Sequence, residues 1–143
     1  MLLREIREDR GWTYHVDTHC SVVQDMNSDN RPVIFMPFNV TVTAGKGAET
    51  RQVVEETVAS VAKNGVTAEQ LNNVKQYLRK VYNEDLDDNT YWMVMLKDIN
   101  KYGIDFHTDY LKTLDGITSD DVRDFVRTLL AGPRLILTMD PAE

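Results

Sequence analysis

This 143-residue chain has a single cysteine, no apolar run of membrane-spanning length and fewer bases than acids, and each shortage excludes something. Cys20 alone cannot close an internal disulfide; read as part of an apolar strand it is a buried, inert thiol, and it leaves the redox compartment and the localisation open. The formal charge of −7, with acids spread along the sequence rather than gathered in a tail, argues against a nucleic-acid backbone or an anionic membrane as partner. No apolar stretch approaches the roughly 20 residues that span a bilayer, and the N-terminus has no charged-then-apolar signal pattern. The first helix opens on Met1-Leu2-Leu3 without a capping residue or polar lead-in, so it reads either as a helix entered midway or as an initiator methionine on a short frayed helix.

Recognisable reaction motifs are missing too. There is no Gly-x-Ser-x-Gly elbow, no phosphate loop, no dinucleotide fingerprint and no inverted His-x-x-Glu-His zinc motif. His15 and His19 stand four apart, which would chelate on a helix. On a strand that spacing separates their Cα atoms by ~13 Å, too far for two imidazoles to share one ion. The acids Glu84, Asp85, Asp87 and Asp88 read as a solvated helix boundary, and Trp92, Met93 and Met95 as core. By itself this chain is not expected to do covalent or metal chemistry.

What is present is legible by period. Leu2, Leu3 and Ile6 recur at helical spacing, Arg7 and Arg10 fall in the last turn where cations suit the helix dipole, and Gly11 is placed to end it. From Trp12 the period becomes two, with Trp12, Tyr14 and Val16 on one strand face and Thr13, His15 and Asp17 on the other. The strand runs over residues 12–23, a polar turn-rich connection follows to Pro32, and a hairpin partner spans 33–43, interrupted at Pro37 and ended by Gly45 and Gly47. Val54, Val58 and Val61 mark a helix over 48–64 stopped by Gly65. Thr67 and Gln70 form a capping box for the next, with Leu71, Val74, Leu78, Val81 and Tyr82 inward. A third helix carries Trp92, Met95, Leu96 and Ile99 to Tyr102-Gly103, and a short one spans 107–114. A fifth, capped by Thr118 or Ser119, turns Val122, Phe125, Val126 and Leu129 inward and ends at Gly132-Pro133, before a last strand over 135–139. The order implies one α+β domain over residues 1–143, with helices packed on one face of a mainly antiparallel sheet. Three strands make a narrow sheet, so its edges call for a further segment or a partner, a second copy of the chain included.

The functional candidates are Arg7 and Tyr14. A guanidinium one helical turn before Gly11 and a phenol three residues after it supply a forked cationic donor and an O–H donor, suited to a peptide carbonyl or the oxyanion formed from it. The competing reading is a solvated helix-end charge and a half-buried strand aromatic.

The run Ile6-Arg7-Glu8-Asp9-Arg10-Gly11-Trp12-Thr13-Tyr14 resembles the apolar-Arg-Glu-x-x-Gly-x-Thr-Tyr run in the non-catalytic C-terminal domain of the pitrilysin/insulinase zinc metallopeptidases, the family that includes mitochondrial processing peptidases. Three more blocks follow in that family's order: Asn64-Gly65-Val66-Thr67-Ala68-Glu69-Gln70-Leu71 with Val74-Lys75 and Leu78; Tyr91-Trp92 through Tyr102-Gly103-Ile104-Asp105; and Ile117-Thr118-Ser119-Asp120-Asp121-Val122. The resemblance implies a metallohydrolase-like domain that lacks zinc and faces a zinc-bearing catalytic domain or subunit across a chamber that admits peptide substrate. It implies that Arg7 and Tyr14 grip the substrate backbone near the scissile bond, and that zinc belongs to the partner. The strands that precede the first helix in such domains are absent, in keeping with the uncapped start, and only Arg7, not Arg4, keeps the family's spacing to Gly11 and Tyr14. The alternative under the same resemblance is an inactive scaffold or assembly domain.

Overall fold

Gly11 ends the first helical turn and starts a hairpin, and that junction organises the N-terminal part of the computed structural model. The structure describes residues 2, 4–24 and 32–139, with the side chains of Tyr14, Val22, Val23, Gln24 and Pro32 outside the described set. Of the turn-rich connection expected over residues 24–32, Gln24 and Pro32 belong to strands, and residues 25–31 lie outside the described residues.

The first element is a π-helical turn, Arg4–Glu8, rather than the α-helix that the spacing predicts; the amide of Asp9 donates to the carbonyl of Arg4 at 2.9 Å, five residues back. Ile6, in its centre, is wholly buried. Each predicted long strand is broken in two: β1 (Thr13–Thr18) and β2 (Ser21–Gln24) on one side, β3 (Pro32–Phe35) and β4 (Phe38–Val42) on the other. The breaks, at residues 19–20 and 36–37, face each other, so β1 pairs antiparallel with β4 and β2 with β3 as two short ladders of one hairpin. Pro37, with no N–H to donate, stands at the break, as expected of a proline in a ladder. Cys20 falls in the opposite break and is exposed, which corrects its reading as a buried strand residue.

Among the described residues five α-helices follow: α1 (Gly47–Asn64), α2 (Ala68–Asp85), α3 (Asn89–Tyr102), α4 (Tyr110–Gly116) and α5 (Ser119–Ala131). Together the helices and the small antiparallel sheets make an α+β fold. The chain forms two compact units, residues 1–60 with 130–143, and residues 61–129.

In the first unit, α1 buries Thr50, Val53 and Thr57, a stripe one step round from the predicted valines, because the Thr57 hydroxyl donates to the Glu5 carboxylate at 3.0 Å. Residues 133–139 carry no strand. Leu135, Leu137 and Met139 are largely exposed, so the predicted last strand is not formed. The apolar composition that suggested it needs a neighbouring ladder to become a strand.

In the second unit the caps are the ones the sequence encodes. Thr67 accepts from the Gln70 amide at 3.2 Å while the Gln70 side chain accepts from the Thr67 amide at 2.9 Å. Thr118 and Asp121 make the equivalent reciprocal pair at the start of α5, and Gly103, at φ 67°, closes α3. The second and fourth family-like blocks meet: the Ser119 hydroxyl donates to the Val66 carbonyl at 2.7 Å and accepts from its amide at 2.9 Å. Leu114 is buried, but on α3 the inward face is set by half-buried Tyr91 and Met95, leaving Trp92, Met93, Leu96 and Ile99 exposed. The core reading of Trp92 and Met93 is corrected accordingly.

Candidate functional site

The segment from Arg7 to His15 is held by a ladder of backbone bonds. Gly11, at φ +66°, donates its amide to the carbonyl of Arg7 at 3.0 Å, and the Trp12 amide donates to the carbonyl of Ile6 at 3.0 Å. This left-handed glycine closure satisfies carbonyls that a helix end leaves open. The carbonyl of Trp12 then accepts from the Thr43 amide at 2.9 Å, which fastens the start of β1 to the residue just past β4. The Trp12 ring is flanked by two cations, the Arg10 guanidinium at 5.5 Å and the Lys46 ammonium at 5.3 Å from its centroid.

The two arginines of this turn are used differently. Arg10 donates to the carbonyl of Glu5 at 2.8 Å and stacks toward Trp12, so its charge is engaged in local structure. Arg7 is exposed, and among the described residues its guanidinium has no hydrogen-bond or ion-pair partner. Its backbone is fixed and its side chain uncommitted, the state required of a group that binds something else. Arg4 is exposed as well, but it opens the π-helical turn, where its carbonyl accepts from Asp9, and takes no part in the glycine closure.

Tyr14 occupies a β-bulge. The ladder pairs Thr13 with Val42 and then His15 with Thr41, so Tyr14 is the extra residue on β1. Its side chain lies outside the described residues, so Arg7 and Tyr14 are related here through backbone alone: Arg7 tied to Gly11, Gly11 followed by β1, Tyr14 at the irregularity near the start of that strand. The bulge also overturns the strict alternation predicted for β1. Thr13, placed by period two on one face with His15 and Asp17, is buried, while those two are exposed. Sequence reasoning missed Thr13. The available signal was a threonine with a hydroxyl to spare at the residue before the candidate tyrosine.

His15 and His19 are both exposed, His15 within β1 and His19 in the strand break. Among the described residues no group of three or more His, Cys, Asp or Glu side chains converges as a metal-ion site. No helix among the described residues is long and apolar enough to cross a membrane.

A second concentration of polar aromatics, unforeseen from sequence, lies in the other unit. The Tyr91 hydroxyl and His107 Nδ1 share a hydrogen bond of 2.8 Å, and Tyr82 stacks on Tyr110 with ring centroids 4.6 Å apart and planes 7° from parallel. Tyr82, Tyr91 and Tyr110 border a cavity of about 120 Å³ that Asp85 and Met95 also line. Burial, and then the neighbouring Tyr82 and Asp85, push the Tyr91 phenol above its ordinary range; burial followed by Asp85 does the same to Tyr110.

No family model matches the chain. Over 134 residues, 90% of its length, it is 32% identical to an uncharacterized zinc protease of Mycobacterium leprae (strain TN), of which it spans 28%. Its fold matches the crystal structure of a peptidase M16 inactive domain from Pseudomonas fluorescens with a TM-score of 0.69 and 23% identity, over 89% of this chain and 29% of that one. The chain therefore corresponds to less than a third of either protein.

Proposed function

We propose that this chain, a member of the pitrilysin/insulinase family of zinc metallopeptidases with the fold of that family's inactive domain, grips peptide substrates opposite a zinc site carried by another domain or subunit. The observation that carries this reading is the state of Arg7: a fixed backbone, an exposed guanidinium and no partner for it among the described residues, one glycine turn from a tyrosine at a strand bulge. A guanidinium fork donates to a peptide carbonyl in two directions. A phenol adds a neutral donor that suits the oxyanion as negative charge develops. Zinc and the activation of water belong to the partner in this scheme, and no step of it passes through a metal held by this chain.

The test is Tyr14→Phe in the protein assembled with its zinc-bearing partner. Loss of a donor used in the transition state lowers kcat roughly ten- to a thousandfold. An unchanged kcat in a folded variant rejects the role.

A second reading, an inactive assembly domain of the same family, is favoured by one observation. Trp92, Leu96 and Ile99, at i, i+4 and i+7 on α3, are 38%, 65% and 41% exposed, an apolar stripe of the kind that partner proteins cover. The same Tyr14→Phe measurement separates the two, since an assembly domain has no use for the hydroxyl.

A further inference from the structure

The residue preceding Tyr14 is polar and only 4% exposed. In a regular ladder a threonine at that place would offer its hydroxyl to solvent or to nothing, but at this bulge it has work to do. The β1–β4 register moves two residues on β1, from Thr13 to His15, for one on β4, from Val42 to Thr41. Such an insertion breaks the regular exchange of ladder bonds, and backbone groups left unpaired in a buried place are destabilising.

The Thr13 hydroxyl fills that gap. Its oxygen accepts from the His15 amide at 3.1 Å, and its proton is directed at the carbonyl of His15, 2.8 Å away, or at the carbonyl of Thr41 on the opposite strand. One side chain thus ties together the backbone on the far side of Tyr14 and the strand across from it. The near side is fastened separately, by the bonds from Gly11 to Arg7, from Trp12 to Ile6 and from Thr43 to Trp12. Tyr14 is the one residue between these two sets of fastenings.

We propose that Thr13 is the positioning residue for Tyr14: its buried hydroxyl holds the bulge, and so fixes the backbone from which the tyrosine side chain leaves the strand. This rests on the reading of Tyr14 as a substrate-gripping donor. A serine supplies the same hydroxyl. A valine has the same shape without it and leaves the His15 amide without its acceptor.

The experiment measures kcat and KM for cleavage of a fluorogenic peptide by the protein assembled with its zinc-bearing partner, comparing Thr13→Val, Thr13→Ser, Tyr14→Phe and the Thr13→Val/Tyr14→Phe double variant. Thr13→Val is expected to lower kcat about tenfold, the scale on which a misplaced group loses its effect, with Thr13→Ser within about twofold of the parent. Because Thr13 acts through Tyr14, the double variant should be no slower than Tyr14→Phe alone; a purely structural role would make the two losses multiply. A parental kcat in Thr13→Val beside a slow Tyr14→Phe overturns the positioning role and leaves the reading of Tyr14 standing. A parental kcat in Tyr14→Phe removes that reading and this inference with it. For a Thr13→Val protein that does not fold, Thr13→Ser decides: a folded serine variant at about a tenth of the parental kcat overturns the proposal.

Discussion

The amide of Gly11 donates to the carbonyl of Arg7 at 3.0 Å, so the glycine that redirects the chain into β1 is bonded to the very residue whose side chain is left uncommitted. At φ +66° Gly11 occupies the left-handed region, and a Cβ built there would meet nothing within 4 Å. Replacement is therefore a conformational problem and not a steric one. Gly11→Ala should destabilise by about 1–2 kcal/mol, with Gly11→Asn milder because asparagine tolerates that region better. Denaturant unfolding of the two variants checks the order; equal stability of alanine and glycine would mean that the turn is not held in this conformation.

Arg7 and Arg10 should separate stability from function. Arg10 is bonded to the Glu5 carbonyl and lies 5.5 Å from the Trp12 ring, so Arg10→Ala should lower stability by about 1 kcal/mol while leaving substrate turnover in the assembled protein near the parental value. Arg7→Ala removes an exposed group with no described partner and should move stability by no more than about 0.5 kcal/mol. Under the proposed function it should nevertheless lower kcat/KM at least about tenfold. Arg7→Lys should recover only part of that, since an ammonium lacks the fork. Parental kcat/KM in Arg7→Ala would leave Arg7 as a solvated charge.

The parts of this fold that could be read from sequence are those decided within a few residues. Thr67 with Gln70, Thr118 with Asp121, Gly103 after α3 and Gly11 before β1 are local bonds between near neighbours, and residue type alone announces them. What escaped was decided by distant partners. The buried stripe of α1 is set by the bond from Thr57 to Glu5, 52 residues away, and apolar periodicity does not register a threonine as core. The bulge at Tyr14 depends on how β4 lines up with β1, and period two assumes there is no insertion. Residues 135–139 have a strand's composition without a ladder to join. The candidate segment shares this division: the glycine turn after Arg7 was legible, whereas the buried hydroxyl of Thr13 became visible only once the register was known.

Gly65 presents the opposite case to Gly11. It too is left-handed, at φ +71°, but a Cβ there would run into the Ser119 side chain and stand 2.9 Å from the Ser119 carbonyl oxygen. Strain and overpacking act together, so Gly65→Ala should destabilise by roughly 2–4 kcal/mol, well beyond Gly11→Ala. Ser119→Ala frees the space but drops both bonds to Val66, at a loss of about 1–2 kcal/mol. Because the two residues touch, the double variant should be less destabilised than the sum of the singles, which unfolding measurements on the four proteins test directly. Strict additivity would show that the two blocks do not meet.

Asp105 gives the fold a predictable acid limit. Bonds from the Thr108 side chain and amide, and then from the His107 amide, hold its carboxyl down to about 2 from an ordinary 3.8. A carboxylate whose pKa is lower in the folded state adds stability that is fully present above the unfolded value and is lost as pH falls through the folded one. The contribution of Asp105 should therefore be constant from neutrality down to about pH 4 and disappear between there and about pH 2. Other carboxylates titrate in that window, so the informative quantity is the difference in Tm between the parent and Asp105→Asn, whose amide oxygen keeps an acceptor without the charge. That difference should favour the parent at pH 5 and vanish near pH 2. A gap that stays the same at both pH values would mean that the Asp105 charge is not what holds the 105–108 turn ahead of α4.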